Sequence, residues 1–209
     1  MTEAGDPTPG VFVAFEGGEG SGKSTQARRI AERHGAVLTR QPGGTAIGAS
    51  IRELLLSPDT EGLGLRAEAL LMAADRAQHV DELIRPTLAA GGDLVCDRYL
   101  ASSLAYQGAG RELGIEAVGA LSAFAVDGVM PDLVLLLDVP VDVGLGRIDS
   151  APDRLESLDR DFHERVRSTF LSLAEGDPDR WVVIDGTAAV EDVSAAVDHA
   201  IAERIGWMS

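Results

Sequence analysis

Gly17-Gly18-Glu19-Gly20-Ser21-Gly22-Lys23-Ser24 fits the pattern G-x-x-x-x-G-K-[ST], and what stands on either side of it decides the fold. Before it, Val11–Glu16 is a short apolar run with strand propensity; after it, Ser24–His34 carries a helical pattern. In a strand–loop–helix setting the glycines let backbone N–H groups converge on phosphate oxygens at a helix N-terminus. Lys23 then bridges β- and γ-phosphates, and Ser24 offers its hydroxyl to Mg²⁺. The candidate triphosphate-binding residues are therefore Gly17, Gly18, Glu19, Gly20, Ser21, Gly22, Lys23, Ser24 and Thr25. Kinases, switches and motors share such a loop, so it identifies a nucleoside triphosphate site and not a reaction.

Outward from the loop, strands and helices alternate. Ala36–Thr39 reads as a second strand ending at Gln41-Pro42-Gly43-Gly44, after which Ile47, Ile51, Leu54 and Leu55 recur at helical spacing. Leu65–Ala89 reads as one long helix with Pro86 near its end, and Gly91-Gly92 breaks it. Asp93–Cys96, Leu133–Leu137 and Trp181–Ile184 complete five strands, and helices are expected over Gly114–Val126, Val141–Arg147, Asp161–Ala174 and Val190–Ile205. Phe162, Val166 and Phe170 lie four apart, a core-facing stripe. The alternation predicts an α/β fold: a five-stranded parallel sheet between helices, with right-handed crossovers. Residues 1–10 read as a flexible leader, residues 11–209 as one domain, and the polar stretch Ser150–Leu158 as a mobile loop.

Composition narrows the partners. Of 209 residues, 34 are acidic and 18 basic, a formal charge of −16 that repels polymeric nucleic acid. Seventeen of the basic residues are arginine; Lys23 is the single lysine. Cys96 alone allows no internal disulfide or cysteine zinc cluster, and in its strand it reads as a small buried hydrophobe. His34, His79, His163 and His199 are dispersed and form no metal-binding pair. No apolar run reaches the length of about 18 residues that a membrane span needs, so a cytoplasmic protein is expected.

Further polar residues cluster at strand ends and loops. Asp97-Arg98-Tyr99 follows a strand, where open α/β sheets place ligands. Asp97 is thus a candidate Mg²⁺ residue beside Ser24, with Asp138 ranked below it, and Arg98 a candidate for a second phosphate. Arg40 and Arg52 flank the Pro42-Gly43-Gly44 turn, Arg76 lies in the long helix, and Arg147 and Arg154 bracket the polar loop. In so acidic a chain, placed arginines are the means of holding two phosphorylated ligands, since the guanidinium fork binds phosphate bidentately.

These residues resemble bacterial thymidylate kinases, with the P-loop NTPase fold, from Val11 to about Val193. Phe15-Glu16-Gly17 through Thr25-Gln26 resembles the family's first strand and P-loop, and Thr39-Arg40-Gln41-Pro42-Gly43-Gly44-Thr45 with Ile51-Arg52 its TREPGGT…IR segment. Asp75-Arg76-Ala77-Gln78-His79 is similar to DRAQH, Asp97-Arg98-Tyr99 to DRY, Ala105-Tyr106-Gln107-Gly108 to AYQG, and Asp153-Arg154-Leu155-Glu156 to the DRxE of the lid. The resemblance implies ATP-dependent conversion of dTMP to dTDP with Mg²⁺, in a homodimer whose lid spans about residues 147–157.

Carried over by position, it implies that Arg98 holds the acceptor 5′-phosphate and Arg76 contacts thymine. Tyr106 would lie beneath the sugar, Ser103 near the base edge and Glu19 near the 3′-hydroxyl. Arg40, Pro42, Arg52, Met72 and Gln107 belong to the same acceptor site. Arg154, with Arg147 as second candidate, would approach the transferring phosphoryl alongside Lys23, because Gly18–Ser21 holds no basic residue.

Three positions depart from the family pattern. Gln41 replaces a glutamate, removing a charge expected beside the acceptor phosphate; Met72 stands where many members have phenylalanine; and the lid has only two arginines. Two rival readings remain at this stage. A deoxynucleoside kinase would need a carboxylate base at a sugar hydroxyl, and a P-loop switch would bind nucleotide and ignore any acceptor.

Overall fold

Five parallel strands form one sheet in the order β2-β3-β1-β4-β5, where β1 is Phe12–Glu16, β2 Val37–Arg40, β3 Leu94–Asp97, β4 Leu133–Asp138 and β5 Trp181–Asp185. The computed structural model describes residues 9–149 and 151–207, so residues 1–8 of the expected leader and Ser150 of the expected lid lie outside the described residues. β1, β3 and β4 are central and almost wholly buried; β2 and β5 are edges with exposed positions. Continuous apolar runs suit the central places because helices cover both faces there.

One face packs on α1 (Lys23–His34) and the C-terminal helix Val190–Ile205, through Phe15, Ile30, Leu135 and Val197. The other packs on the helical layer through Phe12, Val80, Ile84 and Tyr99, with a second cluster around Tyr106, Phe162 and Phe170. Parallel register brings the strand ends level, with Arg40 opposite Asp97 and Phe15 opposite Asp97 on either side of β3. Glu16, Arg40, Asp97, Asp138 and Asp185 each end a strand at this edge.

α2 (Ala46–Leu56) is capped by Thr45, whose hydroxyl accepts from Gly48 N. Of its apolar stripe, Leu55 is buried while Ile47 and Leu54 are exposed. The long helix runs as α3 (Leu65–His79), one wide π-type turn at Val80–Ile84, and α4 (Arg85–Ala89). The widening precedes Pro86, whose missing N–H and ring cannot be fitted to the regular i to i−4 ladder. A short helix α5 (Leu100–Ser103) follows β3 and continues as π-type turns over Leu104–Gly110. The remaining helices are α6 (Ile115–Val126), α7 (Val141–Leu145), α8 (Arg160–Gly176) and α9, the C-terminal helix Val190–Ile205.

The stretch expected to be a mobile polar loop is docked. Leu155 is buried among Leu55, Tyr106 and Phe162, Asp153 caps the turn through Leu155 N and Glu156 N, and Arg154 N donates to Leu56 O at 3.1 Å. One leucine within a polar segment supplies the apolar anchor that its average composition concealed.

Candidate active site

The site begins with Glu16, the charged end of an otherwise apolar strand. It is 1% exposed, and its carboxylate accepts from Tyr99 N, Ser102 N and Ser102 Oγ at 2.9, 3.2 and 2.6 Å. Burial raises its pKa, and these bonds and Arg98 oppose the rise. Glu16 thus caps α5, which has no capping side chain of its own. The turn into α5 puts Arg98 in the left-handed region, at φ 69°, and aims its guanidinium back over the P-loop.

Arg98 donates to Gly17 O at 2.9 Å, Ser102 Oγ at 3.2 Å and Glu19 Oε1 at 2.8 Å, and its Cζ lies 4.9 Å from the Tyr106 ring centre. Tyr106 Oη donates to the same Glu19 oxygen at 2.5 Å. Burial alone would raise the Glu19 pKa, but Arg98, Lys23 and the Tyr106 bond outweigh it and hold the carboxyl at about 2. Glu19 is therefore an ionised anchor and a poor proton acceptor.

In the P-loop, a Cβ on Gly20 would meet Gly144 O at 2.0 Å, and Gly20 has φ 64°, so only glycine fits there. Lys23 Nζ curls onto Gly18 O at 2.5 Å and Ser21 Oγ at 3.2 Å. Burial and Arg98 lower its pKa to about 8 against the pull of Glu19, Asp97 and Glu16. Ser24 Oγ donates to Asp97 Oδ2 at 2.5 Å. This pair of hard oxygen donors fits Mg²⁺, which is commonly held by one or two protein oxygens plus phosphate and water.

From these residues a cavity of about 240 Å³ extends across the sheet edge. Glu19, Lys23, Ser24, Asp97 and Arg98 line its P-loop end; Arg40, Pro42, Arg52, Met72, Arg76, Ser103, Tyr106 and Gln107 line the rest. Gln41, Asp75, Tyr99, Ser102, Asp153, Leu155 and Glu156 also reach it. Arg52 Nη1 is held by Pro42 O at 3.0 Å, and Gln107 is held by Glu68 at 2.9 Å.

Arg76 is the largest fully buried side chain. Its Nε donates to Gln41 Oε1 at 3.0 Å, Nη2 to Tyr99 O at 3.1 Å and Ser103 Oγ at 2.9 Å, and Nη1 to Ser122 Oγ at 3.4 Å. Gln41, expected beside the acceptor phosphate, instead lies against Arg76. The parallel β2–β3 pairing carries residue 41 inward, with Gln41 N bonded to Asp97 O at 3.0 Å.

Of the expected P-loop residues, Glu19, Lys23 and Ser24 line the cavity while Gly17, Gly18, Gly20, Ser21, Gly22 and Thr25 do not, and three expected residues outside the P-loop also stand apart from it. Arg154 turns outward, with Nε on Leu55 O at 2.7 Å and Nη2 on the fully buried Glu68 at 2.7 Å, although its neighbours Asp153, Leu155 and Glu156 face the cavity. Arg147 lies outside the P-loop on Gly186 O at 2.9 Å and Gly20 O at 3.4 Å. Asp138 is taken bidentately by Arg167, both bonds 2.8 Å. Sequence reasoning missed Glu16, Glu68 and Ser102; a carboxylate ending a buried strand was the available signal for Glu16, since it must find partners.

Comparison with known proteins agrees with this architecture. The family model described as Thymidylate kinase matches residues 15–197. Thymidylate kinase of Cutibacterium acnes is 48% identical over 193 residues, covering 90% of this chain and 94% of the relative. Thymidylate kinase of Caulobacter vibrioides is 43% identical, covering 95% and 99%. The crystal structure of thymidylate kinase from Ehrlichia chaffeensis superposes with TM-score 0.76 at 32% identity, over 92% of this chain and all of that one. A P-loop edge facing a buried arginine pocket, and a family match spanning nearly every element that builds it, lead to one conclusion: this chain belongs to the thymidylate kinase family.

Proposed function

We propose that the protein transfers the γ-phosphoryl group of ATP to the 5′-phosphate of dTMP, giving ADP and dTDP, within a single domain at residues 11–209. The observation that carries this reading is the cavity itself, which joins the P-loop lysine to Arg98 and then to Arg76, whose hydrogen-bond acceptors are neutral. A phosphate acceptor is already largely ionised at neutral pH, so alignment and charge neutralisation suffice. Glu19, at about 2, is ill suited to deprotonating a sugar hydroxyl, which disfavours a deoxynucleoside kinase. Asp75, held up near 6 by burial, has its Oδ1 occupied by Gly43 N at 2.8 Å.

The P-loop amides and Lys23 hold the triphosphate, and Ser24 and Asp97 would hold Mg²⁺. Bound there, the ion supplies charge neutralisation between phosphates. Arg98 holds the acceptor phosphate. Arg76 and Ser103 face the base, with Met72 packed on it, and Tyr106 supports the sugar while Glu19 anchors its 3′ side. Arg40, Pro42, Arg52 and Gln107 complete the acceptor wall. Arg154 swings from Glu68 to the transferring phosphoryl when the lid closes, with Arg147 as the alternative.

We further propose a homodimer. Support comes from Ile47 and Leu54 on α2, Leu70 on α3, and Ile115 and Phe124 on α6, all exposed on helices that pack side by side; Phe124 is 87% exposed. The cytoplasm is the proposed location; no described helix is long and apolar enough to cross a membrane. A coupled ADP-release assay across thymidine and the deoxynucleoside monophosphates tests the activity. Preference for dTMP is expected; preference for thymidine, or acceptor-independent hydrolysis, would refute it.

A further inference from the structure

The buried hydrogen bonds behind Arg76 fix one another in a single direction. A guanidinium has only donors, so Arg76 Nε forces the oxygen end of the Gln41 amide toward itself. Gln41 Nε2 then points at His79 Nδ1, 2.9 Å away, and being a donor it requires that nitrogen to be unprotonated. The neutral ring must carry its proton on Nε2, which donates to Thr39 Oγ1 at 2.7 Å. His79 is fully buried, and Gln41 is 4% exposed.

The ring is also clamped in place. A Cβ on Gly44 would meet its Nε2 at 2.4 Å and two of its carbons at 2.7 Å, so the Pro42-Gly43-Gly44 turn closes against the imidazole face. Burial and the Arg76 charge lower the His79 pKa to about 4, favouring the neutral ring the geometry demands. Among the described residues Arg76 makes no ion pair, and all four hydrogen-bond acceptors around it are neutral. Its charge thus has no direct carboxylate partner, and Glu16 and Asp75 act on it only through space.

Building on the acceptor site proposed above, we propose that His79, which lies behind the cavity wall, is a positioning residue for the acceptor base. Its unprotonated Nδ1 locks the Gln41 amide, and the amide orients the Arg76 guanidinium without pairing its charge directly. Glutamine at position 41, where the family pattern has glutamate, makes the pairing with His79 neutral in this chain. A carboxylate there would neutralise Arg76 and would confront the Nδ1 lone pair with a second acceptor, so His79 would have to take up a proton on Nδ1. The effect falls on acceptor binding, because neither side chain bonds to the P-loop end; only the Gln41 backbone N–H reaches Asp97 O.

The test combines spectroscopy with kinetics on the full-length chain. In protein carrying ¹⁵N-histidine, long-range ¹H–¹⁵N correlation spectra between pH 6 and 8 are expected to show His79 Nδ1 unprotonated, assigned by the loss of its signals in His79→Asn. In Gln41→Glu that nitrogen becomes protonated. His79→Leu is expected to raise KM for dTMP on the order of 10-fold, the upper size of one neutral hydrogen bond, with kcat and KM for ATP within about 3-fold. His79→Asn, whose side-chain oxygen can accept from Gln41 as Nδ1 does, restores most of the loss. A protonated Nδ1 in the wild type overturns the proposal, as does His79→Leu with unchanged KM for dTMP or with equal losses for ATP. Absence of any dTMP turnover would refute the functional reading instead, leaving the spectrum to decide the hydrogen-bond assignment.

Discussion

Arg154→Ala separates the structural role of this side chain from the catalytic role proposed for it. Here the guanidinium makes two bonds, to Leu55 O and to Glu68 Oε2, each 2.7 Å. Removing it does not strand a buried charge, because Arg111 stays on Glu68 at 2.9 and 3.2 Å and Gln107 at 2.9 Å. The segment also keeps Arg154 N on Leu56 O and the buried Leu155. Hydrogen bonds involving charged groups contribute about 1.5–3 kcal/mol each, so the expected stability loss is about 3 kcal/mol. At about 2–4 °C per kcal/mol for a chain of this size, Tm falls by roughly 6–12 °C. Leaving Glu68 to reach a phosphoryl group would cost a similar amount, which corresponds to an open-to-closed ratio of about 150 without ligand; the triphosphate must supply the difference. As a transition-state arginine, Arg154 is worth on the order of 10²–10⁵ in kcat. Calorimetry and a coupled assay below the variant's Tm measure both losses. A Tm drop with kcat within about 3-fold of wild type would refute the lid assignment, leave Arg154 as a clip holding the lid to α2, and move the role to Arg147.

Lys23→Ala is expected to lower kcat by on the order of 10²–10⁵ while leaving the urea midpoint nearly unchanged, since burial already penalises its ammonium; a folded variant with near-normal kcat would contradict this. Asp75→Asn should raise Tm at pH 7–8. The folded pKa of about 6 lies above the usual 3.8, so the native state binds the extra proton and the wild-type contribution is present below pH 3.8 and lost as pH rises through 6. The ceiling on the gain is about 3 kcal/mol, vanishing toward pH 4; an equal gain at pH 4 and 8 would contradict the burial argument. Phe124→Glu is expected to halve the mass seen by light scattering, and an unchanged mass would remove α6 from the proposed dimer face.

Much of the fold was legible because its signals are local and repeated. Central strands such as Leu133–Asp138 are apolar throughout, and glycine, proline and charge punctuate the elements between them. The P-loop was legible for the same reason: its context lies within about twenty residues. The helix α5 was not, because the group that caps it is Glu16, a carboxylate more than eighty positions earlier. The π-type turns that carry Tyr106 and Gln107 inward likewise depend on packing against α6 and α8. Among site residues, strand-end side chains were readable by position, since the parallel register sends them all to one edge. Side-chain direction was not: Arg154 was found by its motif but faces Glu68, and Gln41 was noticed as a substitution without its bond to Arg76 being foreseen.

Glu16 also divides the site by timescale. The amides of Tyr99 and Ser102 end on a carboxylate buried at the sheet centre, so their exchange with deuterium requires the sheet itself to open, and they belong to the slowest class. The segment 151–158 is tied instead by the Leu155 side chain, Arg154 and a few turn bonds, none of which belongs to a strand. The side of the cavity held by Glu16 is thus expected to be the rigid one, and the segment that carries Arg154 the one that opens first. For a designed inhibitor, an anchor on the Arg98 and Arg76 side is expected to meet the more rigid shape, and a group reaching toward the segment of Arg154 the more adaptable one.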